Sequence, residues 1–155
     1  MDCRRPPRPD DPSERLQCPR SGTDGSAVTL ETVKALLTER ALRRISGAAY
    51  RFCGDADCDV VYYDGGAAFT IEDIRVPVWQ KQPFGARMVC YCFGENEGDM
   101  RREPWPSQAV ERVRGHIRAG RCACAVRNPR GTCCLGDVIA AVKRVEASRH
   151  DVPDR

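Results

Sequence analysis

Six of the ten cysteines in this 155-residue chain lie between residues 90 and 134: Cys90, Cys92, Cys122, Cys124, Cys133 and Cys134. The others are Cys3, Cys18, Cys53 and Cys58. Thiols at this density either cross-link or bind metal, and compartment decides between the two. The opening MDCRRPPRPDDPSERLQ has no apolar stretch for a secretory leader, and its acidic residues argue against a transit peptide. No run approaches the roughly 18 apolar residues of a membrane span. The chain is therefore expected to be soluble and cytoplasmic, with its clustered cysteines serving as metal ligands.

Composition divides the chain. Residues 1–17 carry four prolines and mixed charge, and residues 147–155 are polar and end in VPDR, so both ends are expected to be disordered tails. The rest suggests an α+β protein in two small parts: a zinc-ribbon-like β domain with one or two short helices over 18–84, and a small helical domain over 85–146. At roughly 60 to 70 residues each, an apolar core alone is marginal. A structural metal, worth about 10–16 kcal/mol as zinc in small peptides, could decide whether such a part folds.

In the first part, TLETVKALLTERALRRI has apolar residues at helical spacing, with Thr29 and Thr38 as N-caps of one broken helix or two short ones. YRFC and DVVYY read as strands around the connector GDAD, a hairpin that holds Cys53 and Cys58 a few ångströms apart. Asp64-Gly65-Gly66 marks a tight turn. AFTIEDIRVPVWQK reads as two further short strands, with RVPVW at a sheet edge because Pro77 lacks a donor. Val76, Val78 and Trp79 are expected in the core of that sheet, and Pro83 is expected to begin a linker.

The second part opens at VCYCF, where Cys90 and Cys92 can reach one metal centre while Tyr91 points away. Asn96 is placed to cap a short helix through Arg102, and Ser107 to cap SQAVERVRGHIRAG, which Gly120 stops. The loop CACAVRNPRGTCC follows, then a last helix with Val138, Val142 and Val145 on one face. Four thiolates can hold zinc or an iron-sulfur cluster, and spacing alone does not choose.

CYCFG, the interval from Cys92 to Cys124, and NPRGTCCLGDV together resemble the 2Fe-2S domain of CopZ-type metallochaperones and the bacterioferritin-associated ferredoxins. Upstream, CPRSG, RFCGDADCDVVYY and RVPVWQK resemble the zinc-binding domain that precedes it in the CopZ-type family. The resemblance implies 2Fe-2S cluster ligands at Cys90, Cys92, Cys124 and one of the adjacent pair, with Cys134 preferred to Cys133, and zinc ligands at Cys18, Cys53 and Cys58. Ser21 stands where the zinc-ribbon knuckle has its second cysteine. That leaves three readings: a zinc site completed by another donor (Ser21, water, or Cys3 folding back), an open three-thiolate site, and a ribbon without metal. Cys122 and Cys133 are surplus, as alternative ligands, soft-metal sites or small buried residues. The family's further domain with a Met-x-Cys-x-x-Cys copper loop is expected to be absent.

Residues 101–130 hold eight arginines against Glu103 and Glu111. They either favour the cluster thiolates or form a solvated basic surface. His116 is expected on a helix surface and His150 in the tail. The favoured function is cytoplasmic metal trafficking, or electron transfer as accessory to a metal chaperone, transporter or redox partner. The alternative is a zinc-only module that recognises a protein or nucleic acid through its arginine surface. Nucleic acid is the weaker partner at a net charge of +3 and without an aromatic platform. With no Cys-x-x-Cys pair and no histidine beside a cysteine, no enzyme is expected.

Overall fold

The computed structural model describes residues 17–47 and 49–151. The fold is α+β, with small antiparallel sheets. Strand β1 (Ser26–Val28) leads into α1 (Leu30–Leu36) and α2 (Glu39–Leu42). Thr29 and Thr38 cap these two helices, their hydroxyls accepting from the amides of Thr32 and Ala41. Leu37 between them is extended, because its amide still closes α1 onto Val33 while Thr38 already starts the next helix. Leu37 is fully buried and bridges to Ile74.

Strands β2 (Tyr50–Phe52), β3 (Val60–Tyr63) and β4 (Ala68–Thr70) complete a four-stranded antiparallel sheet in the order β1-β2-β3-β4. Phe52 pairs with Tyr62 across the expected hairpin. The Asp64 carboxylate accepts from the amides of Gly66 and Ala67 to close the next turn. Strand β1 is too short and too exposed to show in the sequence pattern, and pairing alone defines it. The core joins Val33, Leu36 and Leu37 of the helical segment to Tyr50, Phe52, Val61, Tyr62 and Phe69 of the sheet.

The expected edge strand RVPVW does not form. Pro77 offers no amide, Arg75 donates to Leu36 of the helical segment, and the chain turns into a 3-10 turn at Trp79–Lys81. Val78 does enter the sheet core and Val76 packs against it, but Trp79 packs on the other core. No free linker begins at Pro83 either. Gly85 donates to Glu97, and Met88 donates to the Gln82 side chain.

The second part contains a hairpin absent from the sequence reading, β5 (Met88–Cys90) with β6 (Glu95–Asn96), turned at Gly94 with φ of 75°. Helix α3 (Glu97–Arg102) starts at the Asn96 cap as expected. Helix α4 (Gln108–Arg118) ends at Gly120, whose φ of 68° suits glycine. Ser107 does not cap α4. Its backbone is already helical, and the turn begins earlier, with Gln108 and Ala109 donating to Trp105 and Pro106.

A single turn α5 (Cys124–Arg127) precedes α6 (Leu135–His150). Val138, Val142 and Val145 of α6 are buried with Val89, Met100 and Val113, each contributing about 1.5–3 kcal/mol by leaving water. Residues 147–150, expected in the tail, are part of α6. The N-terminal tail through residue 16 with Cys3, and residues 152–155, lie outside the described residues. Glu97 is fully buried. It accepts from Arg144 at 2.8 Å and from the Gly85 amide at 2.7 Å, so α3, α6 and the segment joining the two parts share one carboxylate.

Candidate metal centres

The knuckle at Cys18 is a tight turn in which Cys18 donates to Thr23, and Gly22 donates back to Cys18 with φ of 71°. Cys53 follows β2, and Cys58 precedes β3. Together the three place their sulfurs within 4.8 Å of one another, all buried. Cys18 and Cys58 are 3.8 Å apart, and the Ser21 hydroxyl is 3.6 Å from the Cys53 sulfur. Ligands about 2.3 Å from a tetrahedral ion stand about 3.8 Å from one another, so these spacings suit one ion. Val60 and Tyr63 wrap the group in a small apolar cluster of its own.

Lys81 adds something the sequence did not signal. Its ammonium donates to the carbonyls of Asp55 and Cys58, at 2.7 and 2.6 Å, and locks the connector of the ligand hairpin. Burial alone would raise the Cys18 thiol. Hydrogen bonds from the Ser21 hydroxyl and amide, the Arg20 amide and the Cys53 thiol instead bring it down to about 7. Burial pushes Cys58 up. The group thus holds a readily formed thiolate beside a thiol, a state that favours exchange of protons for metal.

The second set of cysteines is arranged differently. Cys90 and Cys92 lie on and just after β5, Cys124 opens α5, and Cys134 precedes α6. The sulfurs of Cys92 and Cys124 are 3.8 Å apart, and the Ala123 amide donates to Cys92 at 3.2 Å. Cys90 and Cys134 are buried in the same core. Interaction with the Cys134 thiol, against the cost of burial and with help from the amides of Phe93 and Cys92, brings Cys90 down to about 6. Cys134 moves up, because it keeps the proton that Cys90 gives away. Burial pushes Cys124 up to about 11, although the Cys134 amide donates to its sulfur. Of the four sequence-predicted cluster residues, Cys92 and Cys124 therefore meet directly, and Cys90 and Cys134 are buried in the core against which those two pack.

The surplus thiols stand outside the pairs. Cys122 is half-buried and Cys133 exposed, whereas Cys134 is buried, so exposure separates the adjacent two. His116 is more than a surface residue, since its ring stacks on Phe93, directly after Cys92, at 3.7 Å. Several of the arginines serve carboxylates rather than thiols. Arg112 bridges Glu95 and Glu103, Arg114 pairs with Glu111, Arg130 with Asp137, and Arg102 with Asp99. Charge pairing of this kind accounts for part of the basic stretch as an ordinary solvated surface.

Among the described residues, no helix is long and apolar enough to cross a membrane. Residues 15–75 match the CopZ family of zinc binding domains. The copper chaperone CopZ of Archaeoglobus fulgidus is 31% identical over 142 residues, covering 84% of this chain and 69% of that protein. The X-ray structure of the Archaeoglobus fulgidus CopZ N-terminal domain superposes with a TM-score of 0.63 at 26% identity, covering 81% of this chain and 96% of that one. The curated relative is a chaperone and not an enzyme, and a match of this extent identifies the chain as a metal-binding member of the CopZ copper chaperone family.

Proposed function

We propose that this protein binds a 2Fe-2S cluster through Cys90, Cys92, Cys124 and Cys134 and a zinc ion through Cys18, Cys53 and Cys58. It would act in cytoplasmic metal trafficking, or in electron transfer to a metal chaperone, transporter or redox partner. The observation that carries the cluster reading is the pairing of the second set of sulfurs. Each iron of a 2Fe-2S core takes two thiolates, and Cys92 with Cys124 at 3.8 Å and Cys90 with Cys134 in the same core offer two such ends, each pair drawing one cysteine from the β5 segment and one from the segment that follows α4. A single zinc ion asks instead for one compact group, which is what the first set provides.

Two domains meeting near residue 84 fit the two apolar cores. Ser21 faces Cys53, which supports an intact zinc site completed by a hydroxyl or another donor over a ribbon without metal. The relative's name brings copper as the cargo that such a protein would help to move. Metal and sulfide analysis of anaerobically purified protein, with its absorption spectrum, is the test. The expected result is about two irons and two sulfides per chain, with zinc beside them. Cys124→Ser should bleach the spectrum, and Cys122→Ser should leave most of it. Colourless protein without iron or sulfide would sink the cluster.

A further inference from the structure

The loop that carries Cys124 to Cys134 has little structure of its own. Helix α5 is one turn, and the rest is held locally by Asn128, which bonds Thr132, Arg130 and Gly131. Its fixed points come from the other half of the molecule. The Thr32 hydroxyl on α1 donates to the Ala125 carbonyl at 2.6 Å, directly after Cys124. The Tyr62 hydroxyl on β3 donates to the Pro129 carbonyl, midway between the two cysteines. Both side chains belong to residues that are essentially fully buried. Gly131 has φ of 72°, and a Cβ there would stand 2.7 Å from the Thr32 oxygen, so the loop seats against Thr32 a second time. Strand β3 itself starts two residues after Cys58.

Resting on the cluster reading above, we propose that Thr32 and Tyr62 are positioning residues for the second cysteine centre. By gripping two carbonyls of the ligand loop from the zinc-binding half, they hold Cys124 and Cys134 in place opposite Cys92 and Cys90. Neither is a ligand. Hydroxyls on buried residues that each donate to one carbonyl fix a loop more specifically than apolar contact does, because a hydrogen bond holds one atom at a set distance and angle.

The test compares Thr32→Val, Tyr62→Phe and the double variant with the unmodified full chain, following the rate at which a strong chelator bleaches the cluster. Each lost bond should speed bleaching by about 3- to 10-fold, and Thr32→Ser should restore the original rate. Thr38→Ala, which loosens the same half without touching the loop, should leave the rate unchanged. An unaltered rate in the double variant overturns the proposal, as does an equal acceleration by Thr38→Ala. If the unmodified protein purifies without iron, the cluster reading fails by itself. Positioning is then read from the alkylation rate of Cys124 by mass spectrometry: faster in the double variant supports it, and unchanged overturns it.

Discussion

The two cysteine centres sit in one small molecule and are built by opposite means. The first draws on one knuckle and one hairpin, and it gathers three buried sulfurs within 4.8 Å inside a cluster of only two other buried apolar residues, Val60 and Tyr63. The second spreads four sulfurs over three segments and is set into a larger core: Cys90 and Cys134 are buried together with Val89, Met100, Ala109, Val113, Val138, Ala141, Val142 and Val145, and Cys92 and Cys124 pack against them. The first centre therefore depends on its ligands for what holds its surroundings, and the second is embedded in an apolar core that supplies most of the packing around it. Metal removal should unfold the neighbourhood of the first and leave standing the helices around the second.

Cys53→Ser is the strongest way to break that comparison. Structural zinc contributes about 10–16 kcal/mol in small peptides, as much as the whole stability of an ordinary domain. Hydrogen exchange should show amides of β1 to β4 losing most of their protection, while α4 and α6 keep theirs. If the sheet stays protected, the first centre is not what folds it.

Glu97→Ala is the matching blow to the second half. Removing this buried carboxylate strands Arg144 and Arg87, with a cost of about 3–5 kcal/mol. The loss should be the same in metal-free protein, whereas the effect of Cys53→Ser should vanish there. Denaturant unfolding with and without a chelator separates the two.

How much of this was legible in the sequence follows the same division. The parts of the first centre are local, so the knuckle, the hairpin and the threonine caps could be read from neighbours along the chain, although the knuckle meets the hairpin across 40 residues. The second depends on contacts across 31 to 47 residues, such as Ala123 with Cys92 or Arg144 with Glu97, and no spacing rule contains them. Family resemblance could single out Cys90, Cys92, Cys124 and Cys134 as a set, but not that Cys92 meets Cys124 while Cys90 is buried with Cys134. The expected strand at RVPVW failed for a similar reason. Its alternation of apolar residues was real, yet Val78 and Trp79 turn into different cores, and a pattern cannot say that there are two. Strand β1 and the β5–β6 hairpin were missed because strands of two or three residues exist only through their partners.

Ser21→Cys sharpens the comparison from the other side. A thiol in place of a hydroxyl already 3.6 Å from Cys53 offers a fourth soft ligand to the first centre. Zinc release to a chelating dye should slow by about 10-fold or more, equivalent to roughly 1.4 kcal/mol. The spectrum of the second centre should not change. An unchanged release rate would mean that another donor already completes the site.

Helix caps give the finest contrast, because two hydroxyl residues look alike in the sequence and differ in the structure. The Thr38 hydroxyl accepts from the Ala41 amide at 3.2 Å, at the point where α1 stops and α2 begins over the buried Leu37. Ser107 makes no such bond, because its backbone already lies in the first helical turn. Thr38→Ala should therefore cost about 1 kcal/mol. Ser107→Ala should stay within about 0.5 kcal/mol, as exposed substitutions without a partner do. Equal losses from the two in urea unfolding would mean that Ser107 caps α4 in solution, and that the helix starts where the sequence first suggested.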